Sequence, residues 1–307
     1  MKNWSDYDKE AIKEIHIWKK PEQNFMEKIL STLTKPIDAL MDASYVKDAI
    51  QKASQGILGL LCDAASGSVR PEAIFEEFNV KIVSLDDISK LNLQTIDKTV
   101  GYLAAKYKGL AATEGALVGG ASLAGPVAAA AAIAVDIPVI TGLCLRAIGE
   151  YATYYGFDID TQPERLFALN VLSLASSPTD VSKQASLASL IKISKLVAQK
   201  KTLKELEQHA FAAILMKLAN SLGLRLTKNK LAQIIPGLSV AVASGYNAYL
   251  ISEVCECAFM MYRERHLARF YNDPGIIEVT VKPSEELIFI DEGDQPEDEG
   301  DQPEPES

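Results

Sequence analysis

Between Gly115 and Val135 the chain runs for 21 residues without a charge, GALVGGASLAGPVAAAAAIAV, and this stretch restricts the possible folds more than any other feature. Nine of these residues are Ala, four are Gly and only six are Val, Leu or Ile. The length reaches the roughly 20 residues that a membrane-crossing helix needs. The content points elsewhere. Alanine contributes little to insertion, whereas Leu, Ile, Phe and Val contribute about −0.3 to −0.6 kcal/mol each. Pro126 interrupts the stretch and Asp136 stands at its end. A carboxylate near the middle of a bilayer costs at least about 2.5 kcal/mol.

Small residues have a different use. Gly115 and Gly119 form G-x-x-x-G, and Gly120, Ala124, Ala128 and Ala132 continue the row at a spacing of four. A second row carries Gly237, Ala241, Gly245 and Tyr249 at the same spacing. Residues four apart share one helix face, and a face without bulky side chains lets two backbones approach closely. The two rows are expected to form one tight helix–helix contact.

The rest of the chain reads as helical. Residues 4–19 are amphipathic, with Trp4, Tyr7, Ala11, Ile12, Ile15 and Trp18 near one face. That face suits either docking on the body or anchoring in a headgroup layer, and the missing basic flank favours docking. Helical patterns follow over 22–62, broken at Pro36. Ser84 with Asp87 resembles a capping box that starts another helix. A helix is expected from Pro138, with Asp136 capping it, to a C-terminal stop at Gly156. Pro163 opens the next helix, Pro178 breaks it, and amphipathic patterns continue over 180–199 and 203–221. The segment 228–271 ends in MMYRERHLARFY. The fold class is therefore all-α, with a helical body over 1–272, a short extended segment over 273–290 and an acidic tail over 291–307.

Charge separates body from tail. The chain carries a formal net charge of −10, from 31 Lys and Arg against 41 Asp and Glu. Eleven of the acids lie between Glu285 and Ser307, where there is no Lys or Arg, so the body is close to +1. DEGDQPE at 291–297 is repeated at 298–304, a composition that cannot bury apolar surface and is expected to be disordered. Such a tail solubilises the body or recruits a basic partner. Nothing resembles a basic stripe, so nucleic acid is not expected as a partner.

No standard catalytic signature occurs: no phosphate loop, no nucleophile elbow and no H-E-x-x-H. The cysteines, Cys62, Cys144, Cys255 and Cys257, have neither disulfide-scaffold nor zinc spacing, and no metal or cofactor is expected. The N-terminus has no apolar signal segment, which points to the cytoplasm. His16 and His266 are expected to face solvent beside charges. One polar constellation sits among apolar residues: Asp136, Arg146, Glu150 and Arg165. Arg146 and Glu150 are four apart and can pair on a helix. The set reads as a buried ion-pair network that fixes helix docking. Two functional readings stand beside it: an anion or lipid-headgroup site on Arg146 and Arg165, or an acid/base pair of Asp136 and Glu150.

The block 136–175 resembles the EcsC family. The resemblance rests on Asp136 and Pro138 after a Gly/Ala segment, then Leu145, Arg146 and Ile148, then Tyr155, Gly156 and Asp158, then Pro163, Glu164, Arg165, Leu166 and Phe167. It extends over about residues 5–272. It implies a largely helical protein, often thought to be membrane-associated, in a family whose founding member is encoded beside an ABC exporter that affects secretion. The expectation is a non-enzymatic membrane-associated accessory protein, peripheral to the inner face of the cell membrane, with a lipid or transporter-like partner. A soluble enzyme with a pocket around Asp136, Arg146 and Glu150, and a scaffold recruiting through its acidic tail, are the alternatives.

Overall fold

The computed structural model describes residues 4–20, 40–63, 69–121, 125–177, 208–231 and 239–277, with single positions between 186 and 194. The expected helical pattern over 22–39, most of those over 180–207, the extended segment beyond Ile277 and the acidic tail lie outside the described residues, while the start of that segment is not extended, since Pro274–Ile276 form a 3-10 turn. Ala124 and Gly237 also lie outside the described residues.

Ten α-helices are bounded among the described residues, and these contain no strand. They are α1 (Asp6–Trp18), α2 (Ser44–Asp63), α3 (Pro71–Phe75), α4 (Leu85–Ser89) and α5 (Leu93–Val100). Then come α6 (Leu103–Ala121), α7 (Pro126–Tyr154), α8 (Gln162–Ala175), α9 (Gln208–Leu231) and α10 (Ser239–Tyr271).

Local chemistry sets most of the boundaries. Ser5, Ser84 and Asn92 each accept a backbone N–H from the first turn that follows, satisfying donors no helix can pair internally. At α4 the capping is reciprocal, since Asp87 also accepts the N–H of Val83 at 3.1 Å. Pro126 opens α7 after Gly125, whose φ of +101° is open to glycine and strained for other residues. Gly156, at φ +74°, closes α7, and the Phe157 N–H reaches back to the Ala152 carbonyl at 2.8 Å.

α7 and α10 form the middle of the body. α10 packs along α6, α7 and α8 and receives α1 on another side, while α2 lies against both α7 and α9. α6 and α7 follow each other in sequence and pack together as the Gly/Ala-rich hairpin. Gly115, Gly119 and Gly120 fall in α6, Ala241 and Gly245 in α10, and α6 packs more extensively on α10 than on any other helix. The side chains of 113–121 and 239–245 are outside the described ones. The buried core includes Ile133, Ile137, Ile140 and Ile148 of α7 with Leu250, Val254, Ala258 and Met261 of α10.

α1 is docked by its aromatic face. Trp4 stacks on Tyr271 with ring centroids 4.5 Å apart, and Tyr271 donates to Asp8 at 2.6 Å. Trp18 and Ile12 pack against the core.

Two helices run further than the sequence pattern indicates. No helix starts at Pro138. That residue lies inside α7, so Asp136 is an interior residue of a 29-residue helix and not its cap. An interior proline removes one backbone hydrogen bond and costs about 3 kcal/mol. Here its ring fills the space left by Gly56 of α2: a Cβ on Gly56 would stand 2.3 Å from the Pro138 Cγ. α9 likewise continues past 221 to Leu231, through Gly223, where a Cβ would meet Ser54 Oγ at 2.2 Å. These glycines are contact points between helices. Gly56→Ala is expected to separate α2 from α7 and to lower stability by about 1–3 kcal/mol, read from the midpoint of urea unfolding. An unchanged midpoint would show that the Pro138 ring is not held there.

Candidate functional site

α7 carries three members of the polar constellation, and helix geometry separates two of them. Asp136 and Glu150 are 14 residues apart, about 21 Å along the axis at 1.5 Å per residue. They do not converge on one pocket, and each has its own lysine.

Asp136 lies at the junction of α7, α9 and α10. Its carboxylate pairs with the ammonium of Lys230, which also donates to Asn247 Oδ1 at 2.7 Å. Asn247 Nδ2 approaches the other Asp136 oxygen at 3.4 Å. The Lys230 Nζ sits 5.7 Å from the centre of the Tyr246 ring, whose hydroxyl accepts from Asn229 at 3.2 Å. All of these groups are buried. Burial alone pulls the Lys230 ammonium down to about 7.

Glu150 lies at the other end of α7, where the helix approaches α3 and α6. Lys106 donates to it at 2.7 Å, and Arg146 Nε lies 3.5 Å from its second oxygen. These groups border a cavity of about 460 Å³ that Arg70, Ile74 and Glu77 also line. The Arg146 side chain is 51% exposed and Lys106 38%, against 7% for Glu150. Glu77 faces away from the cations in its bonding. It accepts from the hydroxyls of Tyr102 and Tyr154, whose oxygens are 2.9 Å apart. Burial, then Glu77, raises both hydroxyls above the usual tyrosine range. A second cavity of about 650 Å³, lined by Asn79, Thr95, Lys98, Thr99 and Tyr102, meets the first at Glu77.

Arg165 joins neither group. It is partly exposed on α8 and makes no ion pair among the described residues. Its neighbour Glu164 is the buried one, at 5% exposure, and its partner is Arg265 of α10.

That pair belongs to a network the sequence pattern does not show. The run Arg263-Glu264-Arg265-His266 looks like a solvated charge cluster, yet each residue is at most 3% exposed. Arg263 Nε donates to Asp97 at 2.9 Å and its Nη1 to Glu14 at 2.8 Å. Asp97 also accepts from Tyr7 at 2.8 Å and from Tyr155 at 2.6 Å. Glu264 pairs with Lys19 of the segment leaving α1. His266 is buried, contrary to the solvent-facing position expected of it, because its ring reaches across to the Leu91 carbonyl at 3.0 Å. Burial, reinforced by Arg269, pushes its imidazole down to about 4. One turn of α10 thus ties α1, α5, α8 and the loop before α5 to a single helix. The only signal available beforehand was its position in an otherwise apolar helix, where unpaired charge is too costly to keep.

The described residues hold no group of three or more His, Cys, Asp or Glu able to bind a metal ion. Cys144, Cys255 and Cys257 are buried and form no disulfide among the described residues, and burial raises Cys144 and Cys255 above the ordinary thiol range.

Comparison with known proteins adds a family and a relative. No solved structure matches the chain. A protein of Bacillus subtilis (strain 168) described as "Uncharacterized protein YdbA" is 24% identical over 267 residues, covering 84% of this chain and 92% of that protein. The family model for the EcsC protein family matches residues 9–267, which takes in α2 to α9, most of α1 and α10, and both polar clusters of α7. The chain belongs to the EcsC protein family.

Proposed function

We propose that this protein is a non-enzymatic, membrane-associated helical accessory protein at the cytoplasmic face of the cell membrane, serving a transport or envelope process. The observation that carries this reading is the outer face of α7. Val135 and Val139 are 69% and 49% exposed on it. At about 100° per residue, Val135, Val139 and Arg146 fall within about 40° of one another around the helix. The face therefore runs from apolar side chains to a cation over about three turns. That is the polarity of a surface resting at the boundary between acyl chains and anionic headgroups.

α7 is long and apolar enough to cross a membrane by length and composition, and half of its most apolar stretch is buried against other helices. A helix so engaged, with Asp136 neutralised inside the fold, fits lying on a membrane better than spanning it. The acids that an enzyme reading would use are each held by a lysine and are too far apart to act on one substrate. Val135→Asp with Val139→Asp puts two charges on the face without touching the core. This variant is expected to lose at least about tenfold in co-sedimentation with vesicles containing phosphatidylglycerol. Equal sedimentation of the two proteins, or no sedimentation of the wild type, would remove the membrane reading.

A further inference from the structure

We infer that the cavity between α3, α6 and α7 is a binding site for a phosphate group, held by Arg70, Arg146 and Lys106. It rests on the membrane-surface reading only for the source of that phosphate. Three cations border the cavity, and two of them share the carboxylate of Glu150. Glu150 pairs with Lys106 and, through Nε, with Arg146. Arg70 makes no ion pair among the described residues, and Glu77, the second acid on the rim, is committed to two tyrosine hydroxyls. The rim thus carries three cations against two carboxylates, an excess of one positive charge that opens to solvent.

The chemistry of these groups selects the ligand. A guanidinium offers a planar fork that matches two oxygens of a phosphate, and Lys106 adds a point charge. Glu150 holds Lys106 and the Nε edge of Arg146 in place, which leaves the Nη edge for a ligand. A buried carboxylate used in this way positions two cations at once and lowers the entropy lost on binding. The volume, about 460 Å³, suits a small polar ligand. The second cavity begins at Glu77 and is lined by Asn79, Thr95, Thr99 and Tyr102 together with Val80 and Lys98, so the substituent of a phosphate ester has room beside the anion. Two sources share this chemistry: the headgroup of an anionic phospholipid and a free phosphate or glycerol phosphate.

Phosphorus NMR titration of the full chain with inorganic phosphate and with glycerol 3-phosphate tests the site directly. The wild type is expected to bind at least one of them saturably. Arg70→Gln with Arg146→Gln, both at exposed positions, is expected to weaken that binding about tenfold or more. Arg165→Gln should leave it unchanged. Vesicle sedimentation identifies the source. If Arg70→Gln alone, which leaves the outer face of α7 intact, also loses vesicles containing phosphatidylglycerol, the ligand is the lipid headgroup; if it keeps them, the ligand is the soluble phosphate. Val135→Asp with Val139→Asp should lose vesicles yet keep phosphate, so failure of the membrane reading leaves the site standing. The site is overturned if the wild type binds neither phosphate, or if the arginine variant binds as the wild type does.

Discussion

Arg265→Met is expected to destabilise the protein by about 3–5 kcal/mol, enough to unfold a domain whose whole stability is about 5–15 kcal/mol. The guanidinium is 2% exposed and donates through Nη1 to Glu164 Oε2 at 2.7 Å, with Nη2 on the other oxygen. It lies between the rings of Phe157 and Phe167, 4.1 Å from each centroid, with Tyr262 beside it. Methionine fills part of that slot but leaves a carboxylate in the core without a counter-charge, and this penalty is the main term. Arg265→Lys keeps the charge and loses the fork and the stacking, so it should recover only part of the loss. Adding Glu164→Leu to Arg265→Met removes the orphaned charge. The double variant should be clearly more stable than the single one. Urea unfolding of the wild type, Arg265→Met, Glu164→Leu and the double variant closes a double-mutant cycle. Additive effects within about 0.5 kcal/mol would show that the two side chains do not depend on each other.

The same network explains what could be read from the sequence. Boundaries written in adjacent residues were legible: Ser84 with Asp87, Gly156, Pro163. Their partners sit within a turn, so spacing alone identifies them. Arg146 and Glu150 pair for the same reason. Legibility ends where the partner is far along the chain. Pro138 reads as a helix start until Gly56 is placed against its ring. Arg265 and Glu164 are 101 residues apart, Arg263 and Asp97 166, Lys19 and Glu264 245. In a one-dimensional reading these residues look like solvated charges, and His266 looks like a surface histidine. The family motif at Pro163 drew notice to Arg165, while the residue bearing the contact was its neighbour. The cavity was half legible. Arg146 and Glu150 stood out on one helix face, but Arg70 and Lys106 arrive from other elements, and only folding brings them together.

The second large effect is a pH-dependent stability set by one buried lysine. Asp136→Leu removes the carboxylate that pairs with Lys230 and leaves the ammonium with Asn247 and the face of the Tyr246 ring. Near pH 6 the loss is expected to reach about 3–5 kcal/mol. Its direction with pH follows from proton counting. In the unfolded chain Lys230 keeps its proton up to the ordinary 10.5, whereas burial brings it down to about 7 in the fold. Between these values the unfolded state binds more protons, so this group makes stability rise with pH, by up to about 1.4 kcal/mol per unit. Below about 7 both states are protonated in the wild type and its contribution levels off. Without Asp136 the folded ammonium has lost its counter-charge, and its titration moves lower still. The rise in the variant therefore extends below 7. The difference in stability between wild type and Asp136→Leu should widen as the pH falls from 7 to 5, measured by urea unfolding at each pH. Lys230→Met placed on Asp136→Leu removes the titrating group, and the double variant should lose that extra slope. A constant difference across this range would mean that the lysine does not change its proton count there. The Asp136 contact would then stabilise by packing alone.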